Sequence, residues 1–163
     1  MKRFGCFILC GILLLVGCAG REVHPLCRFR EGFAAECAGE YNGVCFSALF
    51  EAAPLTEAGV LPLTVTFYAP AALSGTVLAR SAEGVTSLSL DGMQVDEGIT
   101  ELARLLDAFP TDGEISGVRT SKEGHTVVNG VDFSAKFLAD GTPLEVTGAG
   151  IRLQILRWES VDT

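Results

Sequence analysis

The dipeptide Asn42-Gly43 most constrains the fold, because strictly alternating sequence flanks it on both sides. Asn-Gly is typical of a two-residue type I′ hairpin turn, in which both residues take positive φ. Such a turn also sets the register of its two strands, here pairing Cys37 with Ala48 on a shared apolar face. We therefore predict a β-hairpin over residues 33–52 with one buried face.

The same period of two recurs along much of the remaining chain, which favours strands with one buried face. We predict further strands at residues 61–67, 75–80, 85–90, 131–137, 143–147 and 151–155.

Residues 97–109 break this rhythm with apolar side chains at helical spacing, acids in the first turn and Pro110 as a stop. We predict one amphipathic helix there that covers the sheet through Leu102, Leu105, Leu106 and Phe109. A β pattern interrupted by a single helix predicts a mainly β, α+β fold. Its architecture would be a curved antiparallel sheet, or half-barrel, with the helix across the concave face.

The N-terminus has the layout of a secretory signal, with Lys2 and Arg3 followed by an uncharged apolar stretch that lasts until Arg21. Within it, the segment LVGC at residues 15–18 resembles the lipobox of bacterial lipoproteins. That resemblance implies cleavage between Gly17 and Cys18 and a diacylglyceryl group on the Cys18 thiol.

These features divide the chain into a lipoprotein signal peptide (1–17), a lipidated tether (18–32) and a single β-rich domain (33–160). An ordinary secretory signal or a single-span anchor with an incidental cysteine is the alternative. With the lipobox, the protein would be anchored by lipid to the cell membrane on its extracytoplasmic face.

The charge balance limits the kinds of partner. The chain has 12 Lys and Arg against 20 Asp and Glu, a formal charge of −8. Without Lys2 and Arg3 the remainder carries 10 against 20, or −10. A chain this acidic repels phosphate backbones, so we predict no nucleic-acid partner.

Three of the six cysteines lie outside the signal and lipobox: Cys27, Cys37 and Cys45. The hairpin register puts Cys37 and Cys45 on opposite faces, so these two should not bond to each other. Cys45 is expected either to react with thiol reagents or to pair with Cys27. A zinc site that also uses His24 is disfavoured because structural sites favour ligands paired two to four residues apart. We predict no metal.

The common catalytic signatures are missing from the sequence. The chain has no Gly-x-Ser-x-Gly elbow, no Walker loop and no His-Glu-x-x-His motif. His24 and His125 are its two histidines, and both are interpreted as surface residues rather than catalysts. We predict that the protein is not an enzyme and uses no cofactor.

The segments VTFYAPAALSG (65–75) and DGTPLEV (140–146), together with the order of strands and helix, resemble lipoproteins grouped around the LolA-like carrier fold. The likeness extends over most of residues 33–158. It implies an unclosed antiparallel barrel that holds lipid acyl chains beneath helical elements.

Five phenylalanines project from inward-facing strand positions and are the candidate ligand-binding residues: Phe46, Phe50, Phe67, Phe133 and Phe137. Such a set can form a plain core or line a site for an apolar ligand. We predict binding or carriage of a lipid or other apolar molecule in the half-barrel. The alternative is a non-enzymatic cell-envelope module with a solid core that interacts with another protein.

Overall fold

The Asn42-Gly43 hairpin has the predicted register. In a computed structural model, which describes residues 25–95 and 99–161, Asn42 and Gly43 have φ values of 50° and 78°. Strand β1 (Phe33–Tyr41) pairs with β2 (Val44–Ala52), and Cys37 lies opposite Ala48. The prediction from turn chemistry is confirmed at every pair of this ladder.

The described residues form one antiparallel sheet of eleven strands in the order β6-β5-β4-β3-β2-β1-β11-β10-β9-β8-β7. The other strands are β3 (Leu63–Ala69), β4 (Thr76–Arg80), β5 (Thr86–Leu90), β6 (Met93–Gln94), β7 (Ile115–Thr120), β8 (Thr126–Gly130), β9 (Phe133–Phe137), β10 (Pro143–Gly148) and β11 (Ile151–Ser160). We call β3–β6 the first wing and β7–β10 the second wing. Strands β1 and β11, the first and last among the described residues, pair with each other at the centre of the sheet. With β2 they form its central part, and one wing extends from each side.

A β-bulge in β11 changes which of its residues face the concave side. Cys37 pairs with Ile155, whereas Glu36 pairs with Arg157, so Leu156 is the extra residue. An extra residue reverses the alternation beyond it. Trp158 therefore lies opposite Ala35 and packs against the core, and Leu156 is exposed.

The helix across the concave face is shorter than predicted. Helix α1 spans Ile99–Ala103, a 3-10 helix follows at Arg104–Asp107, and residues 97 and 98 lie outside the described residues. Pro110 has no N–H to donate to the Leu106 carbonyl, so the helical segment that ends at Asp107 does not continue through it. The Arg80 guanidinium donates to that carbonyl instead, at 2.7 Å. We call residues 99–114 the cap.

The folded domain starts before Phe33. A 3-10 turn at Cys27–Phe29 packs onto the sheet, and both Leu26 and Phe29 are fully buried. Residues 26–32 are therefore part of the domain and not part of a tether, because they supply apolar side chains to its core.

Strands β6, β7 and β8 are not predicted from the sequence. The strand predicted over residues 131–137 starts too early, because β9 begins at Phe133. Val131 is 68% exposed and precedes β9 in a turn. Strand β7 is polar or exposed at nearly every position, so it carries no apolar alternation to read. Among residues 25–95 and 99–161, no helix has the length and hydropathy to cross a membrane.

Candidate functional site

The concave face is where the sequence placed the candidate ligand-binding residues. Four of the five phenylalanines are buried there: Phe46, Phe50, Phe67 and Phe137. Phe50 is in ring contact with Phe109 of the cap, and the cap residues Leu105 and Leu106 are also buried. The sheet and the cap thus enclose one continuous apolar core.

An aromatic cluster fills the space between the cap and the sheet. Its members are Phe29, Phe33, Phe50, Phe109, Phe137 and Trp158. Phe109 of the cap has its ring centroid 4.9 Å from that of Phe33 and 5.3 Å from that of Phe50. Trp158 stacks on Phe33 at 4.4 Å. These are the distances of rings in direct contact, so the side chains of the domain itself occupy the concave face.

Phe46 and Phe67 form a second aromatic contact farther along the sheet, at 5.7 Å. The Phe46 ring lies directly over Gly39, where an added Cβ would come within 2.4 Å of the ring. Glycine at this position leaves the space that the ring occupies. This end of the concave face is filled in the same way.

Phe133 lies apart from the other four candidates. Its ring packs against Gly130, where an added Cβ would be 2.1 Å from the ring, and it is half-buried. Here it borders a cleft of about 640 Å³ between the two wings, which cap residues 107–114 cross. The cleft has apolar walls, including Leu61 and Phe109, and four carboxylates at its rim: Asp107, Asp112, Glu114 and Asp132.

Side chains of the sheet and the N-terminal turn hold the cap by its backbone carbonyls. Arg80 donates from Nε to the Leu61 carbonyl at 3.0 Å and from Nη2 to the Leu106 carbonyl, and Nη1 contacts the Asp107 carboxylate at 2.6 Å. The Tyr41 hydroxyl donates to the Glu101 carbonyl at 2.9 Å, and Arg30 Nε donates to the Thr111 carbonyl at 2.6 Å. The cap is thus attached along its length.

Of the two histidines of the chain, the structure describes His125. His24 lies outside the described residues. His125 Nδ1 is 3.2 Å from a Glu123 carboxylate oxygen, close enough for an ion pair but poorly aligned for a hydrogen bond. Within the described ranges no three His, Cys, Asp or Glu side chains cluster in a way that could hold a metal ion.

The three cysteines of the domain have different surroundings. Cys37 is buried on the concave face, Cys45 is exposed opposite Glu40, and Cys27 is half-buried in the 3-10 turn. All three are unbridged in the structure. Burial raises the pKa of the Cys37 thiol to about 12.

We expect iodoacetamide at about pH 8 to alkylate Cys45 in the folded protein and to leave Cys37 unmodified. The thiolate is the reactive form, and a raised pKa keeps Cys37 protonated until the pH approaches about 12. Peptide mapping by mass spectrometry measures both sites, with urea-unfolded protein as the control in which both react. A Cys37–Cys45 disulfide in a non-reducing map would contradict the hairpin register.

The sequence did not identify Phe29 and Trp158 as members of the aromatic cluster. Phe29 lies in a segment without periodicity, and Trp158 reaches the concave face only because of the bulge at Leu156. An aromatic residue in a charged segment was the one available signal for Phe29.

Comparison with solved structures finds proteins of similar structure. The crystal structure of MucB matches with a TM-score of 0.52 and 16% identity, over 85% of this chain and 57% of MucB. An uncharacterized conserved protein from Thermus thermophilus matches at 0.49 and 16%, over 85% of each chain. The MucA/MucB complex of Pseudomonas aeruginosa matches at 0.43 and 14%, over 85% of this chain and 55% of that one.

No family model matches the sequence, and no curated protein does. The chain spans a little over half the length of MucB. At 16% identity the likeness shows the fold alone. The predicted fold class is confirmed: the domain is a mainly β, open, curved antiparallel sheet with one short α-helix among its described residues, of the LolA-like type.

Proposed function

We propose that the chain is a lipid-anchored, extracytoplasmic protein of the cell envelope whose half-barrel domain binds another protein and catalyses no reaction. The observation that supports this proposal is that side chains of the domain itself fill the concave face. Phe109 of the cap is in ring contact with Phe29, Phe33 and Phe50, so a ligand meets the outside of the domain.

Carriage of a lipid beneath the cap, which the LolA-like resemblance implies, would require the cap to leave this cluster and to release its bonds to Arg80, Tyr41 and Arg30. Binding through the outer surface needs no such change. MucB, whose fold this domain shares, is crystallised in complex with MucA, so a protein partner is compatible with the fold.

Photo-crosslinking in living cells tests this proposal. A photoreactive phenylalanine analogue is placed one site at a time at the exposed apolar residues Tyr68, Met93, Val118 and Leu156, with buried Phe50 as the control site. We expect at least one exposed site to form an adduct with a single envelope protein, and the reciprocal crosslink from that protein to succeed. Adducts with lipid only, or with nothing, would contradict the proposal.

Lipid anchoring is a separate part of the proposal, because Cys18 lies outside the described residues. We expect cells fed a palmitate analogue to label the wild-type chain and the matched control Cys27→Ser, and not to label Cys18→Ser. Two acyl chains give stable membrane binding, whereas one gives only marginal binding. Cys18→Ser would lack the thiol that accepts the diacylglyceryl group, so we expect it to lose its lipid anchor as well. Equal labelling of all three chains would contradict the lipobox interpretation.

A further inference from the structure

Among residues 25–95 and 99–161 the sheet is open and has two free edges. One is β6, which has only two residues, and the other is β7, which has six. A free edge strand presents unpaired backbone N–H and C=O groups to which another chain can pair. Shortness protects β6, whereas β7 is as long as an average strand.

The backbone groups of β7 that face outward can be assigned from its turn. The Ser121 N–H donates to the His125 carbonyl at 2.7 Å at the start of the β7–β8 ladder. Because antiparallel ladders alternate bonded and non-bonded pairs, Gly117 and Arg119 bond to β8. Val118 and Thr120 therefore direct their N–H and C=O groups away from the sheet.

The concave face continues as far as this edge. Val118 pairs with fully buried Val128, yet Val118 itself is 55% exposed. Beside it, a groove of about 350 Å³ lies between strands β8 and β9 and the N-terminal turn, with Val128 and Phe137 among its apolar lining residues and Arg28, Glu31 and Asp140 among its charged ones. An added strand would thus meet an unpaired ladder and, through Val118 and Val128, an apolar strip beside this groove, which is how sheets bind extended peptides.

The charge and size of this edge decide between a second copy of the chain and a different protein. Two copies of a chain with a net charge of −8 repel each other. Six residues form an edge only about 20 Å long, too small for the roughly 800 Å² per partner of a stable dimer interface. Asp112 and Glu114, just ahead of β7, are exposed and in no ion pair among the described residues.

We propose that β7 is the docking edge for an extended segment of a partner protein, which adds to the sheet as a further antiparallel or parallel strand. The segment has aliphatic side chains at alternate positions, facing Val118 and the groove, and a basic residue at the end that lies near Glu114. This inference rests on the proposed function, since it assigns the surface through which the domain binds protein.

The test uses full-length protein in lipid nanodiscs and a phage-displayed library of random twelve-residue peptides as the probe. Val118→Pro removes the outward N–H of this residue and leaves the bonds of Gly117 and Arg119 to β8 in place. Val118→Thr is the matched control, because it keeps the N–H and a β-branched side chain. Thermal unfolding of both variants verifies that they fold.

We expect selected peptides to alternate aliphatic residues and to carry Lys or Arg near one end. Their Kd should rise at least ten-fold with Val118→Pro and change less than two-fold with Val118→Thr. Peptide binding should also slow amide hydrogen exchange at Val118 and Thr120.

Three results would overturn the docking edge: no selected peptide, equal affinity for Val118→Pro and wild type, or pairing of β7 with a second copy of the chain. Peptides that bind Val118→Pro as tightly as wild type would leave the proposed function intact, but the binding surface would then lie outside β7. The proposed function fails separately, if crosslinking in cells returns only lipid or no adduct.

Discussion

Replacing Phe29 with alanine is expected to lower the free energy of unfolding by about 3–5 kcal/mol, the cost of removing a fully buried phenylalanine. Phe29 has no exposed surface, and its ring centroid lies 5.4 Å from that of Phe109, 5.6 Å from Phe137 and 5.9 Å from Trp158. The substitution leaves a cavity between the cap, the second wing and the central strands, where three rings lose a neighbour.

Urea unfolding followed by fluorescence measures this change, because Trp158 is the one tryptophan of the chain and touches Phe29. Leu156→Ala is the matched control. Leu156 is the 62%-exposed bulge residue, and we expect its removal to change stability by less than about 0.5 kcal/mol. A Phe29→Ala effect as small as that of the control would mean that residues 26–32 form a tether after all.

Leu106→Ala is expected to cost about 2–5 kcal/mol, as for other buried leucines. Leu106 is 1% exposed in the 3-10 helix of the cap, and its carbonyl accepts the Arg80 guanidinium. Truncating the side chain removes apolar contact beneath the cap without removing that hydrogen bond. The measured loss therefore reports how tightly the cap packs on the sheet.

The same urea unfolding measures Leu106→Ala, with the exposed Thr100→Ala of helix α1 as its control. We expect the control to stay within about 0.5 kcal/mol of wild type. A loss below about 0.5 kcal/mol for Leu106→Ala would show the cap to be a loose lid, and a lipid-carrying half-barrel would then regain support.

The turn and strand chemistry of the sequence predicted most of the sheet. The Asn42-Gly43 turn determines the β1–β2 register, and the alternation in β3 and in the first half of β11 reflects one buried face. These features are local, since a turn type or a period of two depends on neighbouring residues only.

What the sequence could not predict depends on contacts between distant residues. The bulge at Leu156 brings Trp158 to the concave face, and Phe29 is buried only because the cap and second wing surround it. Strand β7 forms by pairing with β8 and has no apolar period of its own. Whether five inward phenylalanines form a core or line a cavity is also set by the cap, so sequence alone left both interpretations open.

Lipid content is the most direct test of a filled concave face. A soluble form is made by replacing residues 1–18 with a cleavable secretory signal, and the protein purified from its host is extracted with organic solvent for mass spectrometry. If the aromatic cluster occupies the space beneath the cap, the extract will hold less than about one lipid per ten chains. One lipid per chain, released only on unfolding, would contradict the filled concave face and support the interpretation of the domain as a lipid carrier.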